Sequence, residues 1–219
     1  MKSEREYRNM TLAVEARAED EPEEPSMIVS GYASTFDEPY RLYSDDQVEV
    51  WEKVDRNAFD ETDMSDVIMQ YDHQGRVFAR IRNNTLKVSP DDTGLFIRAD
   101  LSGTDIGRSL YQEIAGGYTD RMSFGFTVDE DTREIVDDRT TGKSIVTRTI
   151  TKVGKLYDVS AVSLPANPGT SISARFLDGA IEEARAERLK AKELEEKRDE
   201  IMKRAEALGK GEALQEKKS

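Results

Sequence analysis

The chain has no cysteine, which excludes disulfides, thiolate–zinc sites and a cysteine nucleophile together. It has one histidine among 219 residues, so any chemistry that needs an imidazole has a single candidate. No stretch approaches the roughly 18 apolar residues of a membrane span. The opening Met1-Lys2-Ser3-Glu4-Arg5-Glu6 lacks the apolar stretch of a secretory signal. These features imply a protein that works in a cell or in something assembled there. Bases are also scarce, 32 against 45 acids for a net charge of −13. Binding to nucleic acid relies on lysine and arginine displacing counterions from phosphates, so that partner is not expected, and an anionic membrane surface would repel the chain. Proteins remain as partners.

Hydrophobic residues make up 37% of the chain and charged residues 35%, a balance that suggests a modest core and a segment that buries little. The sequence changes character after Phe176. From Asp178 to Ser219 there are 12 acids and 11 bases, so the acidity belongs to the body. Leu177 to Leu208 has no proline, and Ala180, Ala184, Ala191, Leu194, Ile201, Ala205 and Leu208 recur at steps of three, four or seven. That spacing predicts a long amphipathic helix with a thin alanine-rich stripe, either leaning on the body or serving as a detachable docking helix. The division is a body of residues 1–176 and a charged helical tail of 177–219.

Within the body, short β-branched and aromatic runs predict six or seven strands: 7–17, Met27 to Phe36 with a bend at Gly31, Val48 to Val54, Val67 to Tyr71, Met122 to Val128, Ser144 to Val153 and Leu156 to Leu164. Thr85 to Val88 and Gly94 to Leu101 form a hairpin around the turn residues Pro90 to Gly94. Asp37 to Asp46 reads as loop and Asp129 to Lys143 as a polar excursion. Thr104 caps a helix over Asp105 to Ala115, stopped by Gly116-Gly117. Strands do not alternate with helices, so the fold class is α+β with a mostly antiparallel, barrel-like β core and few helices.

His73 follows the strand Val67 to Tyr71 and sits before Gly75, where a rigid scaffold can present a reactive side chain. It is either that or a structural histidine. Ser123 lies within the apolar Met122-Ser123-Phe124-Gly125-Phe126. It is either a nucleophile that a base can activate or an ordinary strand serine bonded to its neighbour. Gly125 would let a substrate backbone approach. Asp158, within Leu156-Tyr157-Asp158-Val159-Ser160, must face water or find a partner, and His73 could be that partner. The acid pairs Asp45-Asp46, Asp91-Asp92 and Asp137-Asp138 read as turn residues; they match no EF-hand and none has a histidine beside it. Gly103-Thr104-Asp105-Ile106-Gly107 lacks the lysine of a phosphate-binding loop. Neither metal nor cofactor is expected.

Several stretches, in order, resemble the tailed-bacteriophage prohead proteases, relatives of the herpesvirus assemblins. They are Gly31-Tyr32-Ala33-Ser34-Thr35-Phe36, Asn57-Ala58-Phe59-Asp60, the His73 segment, Thr93-Gly94-Leu95, Met122 to Phe126, and Asp158-Val159-Ser160 leading to Pro165-Ala166-Asn167-Pro168. The resemblance covers about residues 7–175 and implies an assemblin-like β core. It implies Ser123 as nucleophile, His73 as general base and Asp158 in the third position, where the phage proteins more often carry glutamate and the herpesvirus enzymes histidine. The arginine pair of the herpesvirus enzymes has no counterpart in Ala166-Asn167-Pro168-Gly169, which leaves backbone N–H groups near Asn167 or Gly125 as oxyanion donors.

The function implied is a serine endopeptidase that cleaves scaffold, or the scaffold-like arm of the major capsid protein, and itself. It would act inside the immature capsid in the bacterial cytoplasm, with homo-oligomers possible. The alternative is a non-catalytic assembly factor that chaperones capsid subunits. A histidine base has to be neutral to act, so activity should fall below about pH 6.

Overall fold

The computed structural model describes residues 4–10, 15–17, 27–162 and 174–216. Its strands are β1 (Arg5–Met10), β2 (Glu15–Arg17), β3 (Ile28–Thr35), β4 (Tyr40–Ser44), β5 (Val48–Val54), β6 (Ile68–Tyr71), β7 (Gln74–Arg80), β8 (Leu86–Pro90), β9 (Gly94–Asp100), β10 (Arg121–Asp138) and β11 (Lys143–Val162). Two helices complete it, α1 (Asp105–Ala115) and α2 (Ala174–Glu216). The larger sheet orders β1-β10-β11-β5-β4, with β6 paired to β11 and β7 to β6; the smaller orders β2-β3-β9-β8. The expected β-rich body and C-terminal helix are present, but the described strands form two open sheets. Pairing is antiparallel except where β11 meets β5 and β6 in parallel.

Local chemistry explains the elements that matched expectation. In β5, Val48, Val50, Glu52 and Val54 turn inward and their neighbours are half-exposed, the two-residue period of a sheet with one buried face. Asp91 accepts from the N–H groups of Thr93 and Gly94 and so closes the β8–β9 turn. Thr104 Oγ1 accepts from the Gly107 N–H at 3.1 Å and starts α1. The irregularity expected at Gly31 falls two residues later, between Tyr32 and Ser34.

Elsewhere the structure departs from the sequence reading. Tyr40–Ser44, read as loop, is a strand on β5. Residues 74–80, for which no strand was expected, form β7. The polar run from Asp129 is no excursion; it continues β10 to Asp138, and β11 returns unbroken through Gly154. Its polarity reflects position, because residues 129–138 of this long hairpin are largely solvent-exposed. Register shifts between Gly125 and Asp131 bend the ribbon. The outer part of β11 can then pair with β5 while its inner part pairs with β6.

The main core fills the space between the sheets: Val29, Leu95 and Ile97 from one, Phe124, Phe126, Ile150 and Val159 from the other, and Leu110 and Ile114 from α1. A second cluster joins α2 to the body. Ala180, Ile181 and Ala184, with the partly buried Leu177, cover Leu42, Val48, Val50 and Val146. Arg185 adds an ion pair to Asp45 at 2.8 Å. The helix therefore does touch the β body, through its first turns. Farther along, Leu189, Leu194, Ile201 and Met202 are exposed by 57–73%.

The large sheet also buries charge. Arg148 on β11 pairs with Glu6 at 2.9 Å, Glu52 at 3.0 Å and Asp131 at 2.6 Å. Arg8 on β1 pairs with Glu6 and Glu52, and Glu52 also accepts from the Tyr40 hydroxyl. Burial alone would push the Glu6 carboxyl up, but Arg148 and Arg8 outweigh it and hold it below its ordinary value. Removing one partner leaves uncompensated charge in a dry place. Arg148→Met should therefore destabilise the fold by about 3–5 kcal/mol, far more than loss of the exposed Arg56–Asp37 pair. Urea or thermal unfolding of the two variants measures the difference.

Candidate active site

β6 and β7 are joined by a two-residue turn, Asp72–His73, with Tyr71 and Gln74 as its closing pair. Both turn residues have positive φ, 48° and 56°, the geometry of the tight hairpin turn that usually takes Asn-Gly. A non-glycine residue costs about 1 kcal/mol in that region. The surroundings hold it there. The Asp72 N–H donates to the Ala161 carbonyl at 3.0 Å, tying the turn to β11. The turn then aims the imidazole across the end of β11 toward β10.

Two strands of the large sheet supply the other groups. Ser123 on β10 stands opposite Ser160 on β11, and Gly125 opposite Asp158. Alternation along each strand puts all four positions on one face, with Phe124 and Phe126 turned into the core behind them. His73 reaches into that face. Its Nε2 lies 2.5 Å from Ser123 Oγ and its Nδ1 lies 2.5 Å from Asp158 Oδ1. The three residues singled out from the sequence are thus in one hydrogen-bonded chain.

The acid is fully buried. Its second oxygen pairs with the Arg5 guanidinium, and the Ser160 hydroxyl donates to Oδ1 at 2.9 Å. Burial pushes the Asp158 carboxyl up, but the hydrogen bond and charge of His73, the charge of Arg5 and the Ser160 hydroxyl outweigh it, so the group ionises below its ordinary value. It is an anion placed to accept from Nδ1 and to stabilise positive charge on the ring. The Tyr7 ring packs on the imidazole with centroids 4.4 Å apart.

Ser123 is fully buried too, and its hydroxyl has two acceptors in reach, His73 Nε2 at 2.5 Å and the Arg8 carbonyl at 2.7 Å, so its one hydrogen serves one of them at a time. β1 occupies the edge of the sheet beside β10, so it covers the serine in this state. The arrangement of hydroxyl, imidazole and carboxylate can perform acyl transfer once the serine is reached.

Comparison with known proteins agrees with this chemistry. A family model described as caudovirus prohead serine protease matches residues 13–184. The chain belongs to that family. No curated protein matches it. Among solved structures, the capsid assembly protease of bacteriophage T4 is 11% identical, with 75% of this chain and 100% of that chain covered and a TM-score of 0.42. The family match ends at Ala184, within the part of α2 that packs on the β body.

Sequence reasoning did not find Arg5, Tyr7 or Ser160 at the site. Ser160 was within reach, since it lies two positions after Asp158 on the same strand face. Arg5 and Tyr7 were not, because nothing in residues 5–10 shows which strand they join. Asn167, one of the two oxyanion candidates, lies outside the described residues. Gly125 corrects an expectation. The space over its Cα is taken by the acid and its neighbours, not left for substrate: a Cβ there would come within 2.4 Å of Asp158 Oδ2 and 2.8 Å of Tyr7 Cε1. Gly125→Ala should therefore push the carboxylate off His73 and cut turnover by about a hundredfold, the cost of misplacing a catalytic group by about an ångström. Thermal melting should change little by comparison, and near-normal turnover would contradict this role for the glycine.

Proposed function

We propose that this chain is a serine endopeptidase that cleaves scaffold, or a scaffold-like arm of the capsid protein, within the assembling prohead. The observation that carries the proposal is the hydrogen-bonded series Ser123–His73–Asp158. Family membership supports the reaction class and its setting in capsid maturation. An assemblin-like arrangement of the β core and cleavage of the chain by itself belong to the same proposal.

In this mechanism a substrate strand gains access to Ser123 as β1 yields. His73 Nε2 takes the Ser123 proton while Oγ attacks the peptide carbonyl carbon, and the imidazolium is stabilised by Asp158. The same proton passes from His73 to the departing amine, which leaves an ester on Ser123. Water then attacks that ester with His73 again as base, releasing the new carboxyl terminus and restoring the hydroxyl.

Ser123→Ala and His73→Ala should each abolish cleavage of the capsid or scaffold partner, and the double variant should be no worse than either. Asp158→Asn should slow cleavage by about a hundredfold or more, as expected for an orienting acid. Full cleavage by the Ser123 or the His73 variant ends the proposal.

We also assign the tail a docking role. The part of α2 beyond Arg188 exposes Leu194, Ile201 and Met202 within about 100° of one another around the helix, an apolar edge for a scaffold or capsid helix. The structure alters where this is best tested. A chain ending near Arg175 would strip cover from Leu42, Val48 and Val50, whereas one ending at Arg188 keeps the docked turns, the Arg185–Asp45 pair and the Arg188 bond to the Gln47 carbonyl. The shortened chain should cleave in solution as wild type does but should fail to enter particles. Normal packaging would contradict the docking role.

A further inference from the structure

We infer that Ser160 is a fourth member of the catalytic arrangement, a positioning residue that fixes where the protons of His73 reside. The inference rests on the acyl-transfer reading above and adds a group to it. Ser160 is fully buried and lies between two functional atoms. Its Oγ donates to Asp158 Oδ1 at 2.9 Å and sits 3.2 Å from His73 Nδ1. A hydroxyl has one hydrogen. With that hydrogen committed to the carboxylate, the oxygen can present only a lone pair to Nδ1, so Nδ1 must carry a proton. Ser160 and Asp158 together therefore form a two-oxygen acceptor for one N–H. The proton that comes and goes during the reaction is left to Nε2, which faces Ser123.

Ser160 also bears on the direction of the carboxylate. Asp158 is pulled from its other oxygen by Arg5, and an aspartate has a shorter reach than a glutamate would have at this position. A buried donor on Oδ1 counters that pull and keeps the oxygen on the imidazole. Backbone register reinforces the placement. Ser160 pairs with Ser123 on one side and with Gln70 of β6 on the other, so its Cα is fixed by two neighbouring strands while the side chain points at the site.

Three readouts separate this role from ordinary packing. Ser160→Ala keeps the site's volume nearly unchanged. It should lower kcat about tenfold with KM little changed, since it alters orientation and not substrate contact. In an Asp158→Asn background the same substitution should cost no more than about twofold, because Ser160 acts through Asp158. The third readout does not need activity. His73 is the only histidine, so its ring nitrogens and Nδ1 proton give one unambiguous set of NMR signals. In wild type at a pH where the ring is neutral, the proton should be on Nδ1. Ser160→Ala should shift and broaden that signal and populate the Nε2–H form, and Ser160→Thr should restore it. Full kcat with an unchanged His73 spectrum would overturn the inference. So would costs that add fully in the Asp158→Asn background. If Ser123→Ala protein still cleaves, the acyl-transfer reading fails on its own, while the His73 spectrum still decides the role of Ser160.

Discussion

The site depends on the register of β10 against β11. Strands alternate their side chains, so Ser123 and Gly125 can share a face with Asp158 and Ser160 only in this pairing. A slip of one residue would put Phe124 where Ser123 stands and turn the serine into the core. The buried aromatic pair guards against that slip, because Phe124 and Phe126 stack at 4.5 Å behind the site and cannot be exposed cheaply. The same hydrophobic alternation that builds the core thus selects which polar groups meet in front of it.

β6 and β1 act on that frame from either side. β6 runs parallel to β11 and ends in a tight turn whose two residues, Asp72 and His73, have positive φ, which fixes the imidazole over the face the register has prepared. β1 uses both of its faces. Arg5 and Tyr7 reach the acid and the histidine, while Glu6 and Arg8 enter the buried charge network with Glu52 and Arg148. The Arg8 carbonyl meanwhile lies 2.7 Å from the Ser123 hydroxyl. The strand that covers Ser123 is therefore also joined to the part of the sheet where charge is hardest to leave unpaired.

Legibility in the sequence followed the range of the physics. Thr104, Gly116 and the turn at Asp91 act within a few residues, and their elements lie where expected. The alternation of Val48, Val50 and Val54 was equally plain. What failed needed distant partners. The outer half of β10 is polar because it is solvent-exposed, and no local signal separates such a strand from a loop. β4 is short and takes its identity from β5. The exposed β7 exists because β6 pairs with it. At the site, Ser123, His73 and Asp158 could be picked out because each broke a local pattern or matched a family order. Arg5 and Tyr7 reach it only through the pairing of β1 with β10, which residues 5–10 do not encode by themselves.

The most direct test of the account is to map a covalent label. A phosphonate that reacts only with an activated serine should be added to protein that is cleaving its partner, with the adduct located by mass spectrometry and the remaining activity followed in parallel. The account predicts one adduct, on Ser123, accumulating in step with the loss of cleavage and absent from His73→Ala protein. Activity lost through an adduct on a different serine, or full activity in protein labelled at Ser123, would contradict it.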